Sequence, residues 1–174
     1  KAGFDLSPQT SNSTTTVGPN AGRDLSQTVW NYAPNLMIRY RWNKKNMLMV
    51  RYRGQSSAPD VQYLQEIIDQ SNPLNIKYGN PDLEPSYTNR LMLRYNNYIT
   101  RNQSNLAVNA SFSNTLNAVT DKVEYNSTTG SRKTYMTNVD GNWNTSGFVS
   151  YLLPIGLSPF SISTTSQASY ANNV

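Results

Sequence analysis

Strict alternation of apolar and polar side chains is the feature that most constrains this chain. Asn35 to Trp42 reads N-L-M-I-R-Y-R-W, with Leu36, Ile38, Tyr40 and Trp42 on one parity and Met37, Arg39 and Arg41 on the other. After the short polar link Asn43-Lys44-Lys45-Asn46 comes M-L-M-V-R-Y-R. There Leu48, Val50 and Tyr52 alternate with Met47, Met49, Arg51 and Arg53. A third segment repeats the rhythm, with Leu91, Leu93 and Tyr95 against Arg90, Met92, Arg94 and Asn96. Side chains on a strand point to opposite faces in turn, whereas helical apolar positions recur every three or four residues. These segments therefore predict half-buried strands, the first two joined as a hairpin with matching faces.

The same period continues along the chain. Leu106, Val108, Ala110 and Phe112 alternate with small and amide residues, and Phe160, Ile162, Ala168 and Tyr170 stand opposite a serine-rich parity. Val139, Trp143, Val149 and Tyr151 predict one long strand over 134–152, and 104–120 reads as another. Residues 1 to about 13, with Phe4 and Leu6, look like the end of an earlier strand. About seven strand segments result. The one helical pattern is Asp60 to Gln70, where Val61, Leu64 and Ile67 or Ile68 share a face and Asp60 can cap the start. Links near 43–46, 99–103 and 153–158 are short, those near 14–27 and 54–86 are long, and 122–134 is intermediate.

Short and long links in alternation, with aromatic residues at strand ends, fit an up-and-down barrel across an outer membrane. Trp42, Tyr98 and Tyr151 lie beside short links, and Tyr52 and Tyr87 beside a long one. The competing architecture is a soluble antiparallel β-sandwich acting as a binding module, since its strands alternate too. Strand length, tyrosine and tryptophan at strand ends, and arginine columns on the polar parity favour the barrel. The fold class expected is thus all-β, an antiparallel up-and-down transmembrane barrel.

Composition narrows the chemistry. The 174 residues contain no cysteine and no histidine, which removes disulfides, thiolate metal sites and the commonest catalytic base. The net charge is +5, but six of the nine arginines lie within alternating segments rather than in a basic cluster, so nucleic acid is not the expected partner. No apolar run reaches the roughly 18 to 20 residues of a spanning helix. The opening Lys1-Ala2-Gly3 carries no apolar signal region, so the expectation is a piece of a longer protein. No nucleophile, phosphate-loop or zinc motif occurs. Asp82 with Glu84 and Asp121 with Glu124 read as solvated loop acids, and Asn-x-Ser/Thr at Asn102, Asn109 and Asn126 is expected by chance in so Asn- and Ser-rich a chain. The expectation is a protein that is not an enzyme and needs no cofactor.

The stretch before the third strand carries more specific information. Asn72-Pro73-Leu74, then Gly79-Asn80-Pro81-Asp82-Leu83-Glu84-Pro85, then Tyr87-Thr88-Asn89 and a strand ending Arg94-Tyr95-Asn96, closely resembles a signature of TonB-dependent outer-membrane receptors of the Bacteroidetes-type outer-membrane β-barrel family. Tyr52-Arg53-Gly54 and Asp69 to Leu74 are similar to it as well. The resemblance is strongest over 28–98. It implies a barrel of about 22 strands closed by an N-terminal plug, with residues 1–174 forming part of that one barrel domain and the plug and remaining strands absent. It also implies uptake of a nutrient across the bacterial outer membrane, energised by the TonB complex through the plug, and leaves room for a surface lipoprotein partner. A non-transporting outer-membrane barrel for assembly or adhesion is the alternative.

Physical reasoning gives the signature a structural role. Pro81 and Pro85 fix φ and lack N–H donors, so ladder pairing starts only after Pro85, and Gly79 permits the preceding turn. Gly79, Asn80, Pro81, Leu83 and Pro85 thereby set where the loop ends and pin the strand register. Arg39, Arg41, Arg51, Arg53, Arg90 and Arg94 are the candidate lumen-facing wall. They either pair with plug acids and water or guide an anionic substrate. Tyr63 and Tyr78 are candidate loop contacts for an unidentified nutrient.

Overall fold

In the computed structural model, residues 1–14, 24–65, 69, 71–156 and 159–174 are described. Ten strands follow one another: β1 (Ala2–Thr14), β2 (Asp24–Asn43), β3 (Asn46–Ser57), β4 (Asn75–Tyr78), β5 (Ser86–Ile99), β6 (Ser104–Leu116), β7 (Ala118–Tyr125), β8 (Arg132–Val139), β9 (Asn142–Pro154) and β10 (Ser161–Asn172). Seven of them form one sheet in the order β1-β2-β3-β5-β6-β9-β10, with every neighbouring pair antiparallel. Neighbours in this sheet are neighbours in the chain once β4, β7 and β8 are seen as insertions in the long links. That is the up-and-down order, and the sheet is open at β1 and β10. The three inserted strands form a second sheet, β4-β8-β7.

Local chemistry explains the connections. At the β2–β3 turn the Asn43 side-chain oxygen accepts from the Lys45 and Asn46 backbone N–H groups at 2.8 and 2.7 Å, an Asx-type turn that needs no glycine. At the β5–β6 turn Asn102 Oδ1 accepts from the Ser104 hydroxyl at 2.8 Å. Gly156, at φ 57°, turns the chain between β9 and β10. All three short links lie at one end of the sheet. The long links lie at the other; of the first, residues 15–23 fall outside the described residues.

Two expectations about secondary structure need correction. The strands expected over 104–120 and 134–152 are each broken. Asn117 adopts φ 51° and Gly141 φ 102°, and these two left-handed residues stand almost opposite each other. The barrel ladder stops at Thr115↔Asn142 and a new ladder starts at Ala118↔Val139, so β7 and β8 leave the main sheet as a separate hairpin. The helix expected from Asp60 is a single 3-10 turn, Val61–Leu64, capped by the Asp60 side chain accepting from Gln62 N at 3.1 Å. Gln65 is already extended, and Ile67 and Ile68 lie outside the described residues.

Register aligns the apolar parities into one continuous face. Leu36, Ile38 and Tyr40 pair with Tyr52, Val50 and Leu48, which pair in turn with Leu91, Leu93 and Tyr95. The face continues through Phe112, Ala110 and Val108 to Thr145, Gly147 and Val149. No second sheet covers it among the described residues. Ile38 is 54 % and Leu91 44 % exposed, and the buried hydrophobic residues are Leu64, Leu83 and Met136, none of them on this sheet. A sandwich would bury this face against a second sheet; among the described residues it stays open, as the wall of a lipid-facing barrel does.

Aromatic rings bound the face at both ends. Tyr32 stacks on Tyr87 (centroids 4.7 Å apart) at the long-link end, where Trp143 also contacts Tyr170 at 5.2 Å. Trp42 stacks on Tyr95 at 5.9 Å at the short-turn end. The spacing is the same on three strands: Tyr32 to Tyr40, Tyr87 to Tyr95 and Trp143 to Tyr151 are each eight residues apart. Eight residues at about 3.4 Å span about 27 Å along a strand. Tilted by about 40°, that is about 21 Å of depth, close to the ~25 Å apolar band of an outer-membrane barrel. Tyr98, expected in the lower girdle, instead has the polar parity: it pairs with Asn105 and lines a pocket with Arg41 and Lys45.

Candidate functional site

The polar face is built by the same strands. Because β2, β3 and β5 pair without slippage over their middles, their arginines and methionines interleave. Arg53 stands directly across from Arg90. Two residues closer to the short turns, Arg51 is flanked by Met37 and Met92. At the next level Met49 is flanked by Arg39 and Arg94. Arg41 follows, its guanidinium 4.0 Å from the Met47 sulfur. All six arginines are exposed.

Arg39, Arg51 and Arg94 line one concavity of about 490 Å³ together with Met49, Met92 and Phe148. Arg53 and Arg90 line a smaller one of about 270 Å³ with Gln55 and Thr88. Arg94 Nε donates to Asn109 Oδ1 at 2.9 Å, which orients its guanidinium and leaves its terminal N–H groups available. Among the described residues no carboxylate pairs with any of the six; the ion pair there is Lys122–Glu124 at 3.3 Å, in β7. Arranged this way the face can bind and relay anions. It holds no nucleophile–base pair, and among the described residues no group of three acidic side chains could hold a metal.

The signature residues form the foot of the long β3–β5 link. Gly79 is seated against the backbone of the 3-10 turn: a Cβ there would overlap the carbonyl oxygen of Gln65 and lie 2.5 Å from that of Tyr63. Asn80 N–H donates to the Tyr63 carbonyl at 2.6 Å, and Asn80 Oδ1 accepts from Asp82 N at 2.9 Å. Leu83, 2 % exposed, packs with Leu64 and Met136, with Tyr63 and Val119 alongside. β5 starts at Ser86, immediately after Pro85. Tyr63 thus belongs to this small core, and Tyr78 stacks on Tyr135 between β4 and β8 at 5.1 Å. Earlier in the link, the Ser71 N–H donates to Asp69 at 2.9 Å and holds its carboxyl below the usual range.

Three polar residues that sequence reasoning missed, Asn117, Asn138 and Asp140, tie this foot to the β7–β8 hairpin through Glu84, which had read as a solvated loop acid. Asn138 Oδ1 accepts from Glu84 N at 2.8 Å, while its amide donates to the carbonyls of Glu84 (3.0 Å) and Asn117 (2.8 Å). Asn117 N–H reaches Asp140 Oδ1 at 2.7 Å, and its amide reaches Glu84 Oε2 at 2.9 Å. The Asp140-Gly141 pair was a readable turn signal. The partnership of Asn138 with a residue 54 positions away had no local trace.

An apolar band of membrane depth, framed by aromatic rings and backed by a polar arginine-bearing face, is the outer-membrane barrel pattern. Among curated proteins none matches the sequence. The sequence does match the outer membrane protein beta-barrel family over residues 9–173, nearly its full length. The chain belongs to that family, and its place is the bacterial outer membrane.

Proposed function

We propose that this chain is wall of a TonB-dependent receptor that takes up a nutrient across the outer membrane. The observation that carries the reading is the ordered segment Gly79 to Pro85 delivering the chain into β5, which is similar to the signature of such receptors. The polar face then lines the lumen, and the apolar face contacts outer-membrane lipid. Energy comes from the TonB complex acting through a plug, and the long links meet the nutrient, alone or with a surface lipoprotein. The role is non-enzymatic and needs no cofactor.

The test is growth of the native host on a panel of nutrients, comparing the wild type, a strain lacking the full gene, and a strain lacking TonB. A growth defect on one nutrient class, shared by both deletions, is expected. A defect in adhesion or envelope assembly that TonB loss does not reproduce would replace the transporter with a non-transporting barrel.

A further inference from the structure

The arginines of the polar face are ordered by level. From the long-link end to the short-turn end the levels hold Arg53 with Arg90, then Arg51, then Arg39 with Arg94, then Arg41. Consecutive levels are two residues, about 7 Å, apart along the strands. Diagonal neighbours across adjacent strands are about 7–8 Å apart, so Arg51 lies within side-chain reach of the same ligand atoms as Arg39 and Arg94. An anion held at one level is within reach of the next.

Two features make this more than a solvated basic face. Arg53 and Arg90 are directly opposed, an arrangement that destabilises a sheet unless an anion sits between them. The described residues supply no carboxylate there. Methionines fill the alternate places: Met49 lies between Arg39 and Arg94, and Met92 beside Arg51. Thioethers adapt to irregular apolar shapes, and Phe148 adds a ring to the same concavity. Guanidinium forks match carboxylate and phosphate oxygens in pairs. A purely inorganic anion would use the arginines and leave the methionines idle.

We propose that this face is a ladder for organic anions, in which Arg39, Arg51 and Arg94 hold a carboxylate or phosphate while its apolar body lies on Met49, Met92 and Phe148. Arg53 and Arg90 form the entry station at the long-link end. The proposal rests on the transporter reading only in taking the polar face to line the lumen, and it names the substrate class for that lumen.

The experiment uses the full-length protein in lipid nanodiscs, titrated calorimetrically with 2-naphthyl phosphate, 2-naphthoate, inorganic phosphate and uncharged 2-naphthol. Both naphthyl anions should bind saturably and more weakly as salt rises, whichever oxyanion is carried. Arg51→Gln should weaken them about tenfold or more, with Arg51→Lys in between. Met49→Ala should weaken the naphthyl anions but not inorganic phosphate. Folding of each variant is checked by its heat-dependent gel mobility. Absence of saturable binding (as when an acidic segment of the protein already fills the wall), equal binding of 2-naphthol, or indifference to both arginine variants overturns the ladder. Binding needs no TonB, so its failure leaves the transporter reading standing, and loss of TonB dependence in the growth test leaves the ladder standing.

Discussion

Leu91 is the most informative place to put a charge. It lies four residues from Tyr87 and four from Tyr95, about 14 Å along the strand from each girdle and about 10 Å in depth at the usual tilt. That is near the midplane of the apolar band. It faces lipid between Tyr52 on β3 and Phe112 on β6 and is 44 % exposed, so an arginine there has no route into the lumen. Leu91→Arg should cost about 2–4 kcal/mol. Met92→Arg, one residue on, points to the opposite face and stays in the polar lumen. It stands across from Arg51, adding a cross-strand repulsion of about 0.2–1 kcal/mol. The two neighbours should therefore differ by more than about 1 kcal/mol. The assay is urea-driven equilibrium unfolding of the full-length protein from phosphatidylcholine vesicles, followed by tryptophan fluorescence, with equal m-values required. Equal cost at the two positions would mean that the faces are not lipid and lumen, and the barrel assignment of this sheet would fall.

Other consequences can be checked independently. Cysteine placed at Ser57, beside the long β3–β5 link, should be labelled by an impermeant maleimide on intact cells, while cysteine at Lys45 in the β2–β3 turn should be labelled only after outer-membrane disruption; the reverse pattern inverts the topology. Gly54→Ala puts a Cβ onto the Tyr87 hydroxyl and should cost about 1–3 kcal/mol, partly recovered in a Tyr87→Phe background, as read by the same unfolding assay. Asn138→Ala removes the partner of the exposed Glu84 N–H and should cost about 0.5–1.5 kcal/mol locally, seen as faster proteolytic cutting of residues 117–141 with the strands intact. Asp69, lowered by the Ser71 hydrogen bond, favours the folded loop above its unfolded pKa near 3.8; this is lost as pH falls through the lower folded value. The protection factor of the Ser71 amide, with the intrinsic pH dependence of exchange divided out, should therefore fall at acid pH, and Asp69→Asn should abolish that dependence.

How much of this was legible depends on the range of the forces involved. The apolar parity of Leu36 to Trp42, Leu48 to Tyr52 and Leu91 to Tyr95 was readable because a strand facing lipid on one side must keep period two for its whole depth. The β2–β3 hairpin was readable from the short link Asn43 to Asn46, but not the register shift between Tyr40 and Asn43 that brings Leu36 opposite Tyr52, nor the pairing of β5 across the long link. The arginine columns were readable for the same reason, although their interleaving with methionine appeared only when three strands were laid side by side. Tyr98 was misplaced because nearness to a turn says nothing about parity. The break at Gly141 was missed because Val139 and Trp143 share a parity across it, and the break at Asn117 was missed although the apolar parity shifts there, from Phe112 and Leu116 in β6 to Val119, Val123 and Tyr125 in β7. The clamp around Asn138 depends on contacts that no local pattern records.

The two parts of the molecule are held together by different solvents. The loop cluster buries Leu64, Leu83 and Met136 and satisfies its backbone through Asn80, Asn117 and Asn138, as a small water-facing domain does. Each fully buried side chain of that kind contributes about 1.5–3 kcal/mol, enough to hold a loop in place but not a seven-stranded sheet. The sheet keeps its largest aliphatic residues on the surface and has no such core. Its stability has to come from its backbone ladders and from hydrocarbon against Ile38, Val50, Leu91 and Leu93. Hydrocarbon, however, does not tolerate unpaired backbone groups, and the free sides of β1 and β10 are such rows. In water the same rows template association with other chains. Residues 1–174 taken alone should therefore sediment as aggregates in plain buffer and disperse in detergent or when further barrel strands pair with β1 and β10. A stable, monodisperse monomer in buffer would require an apolar core that this sheet does not contain.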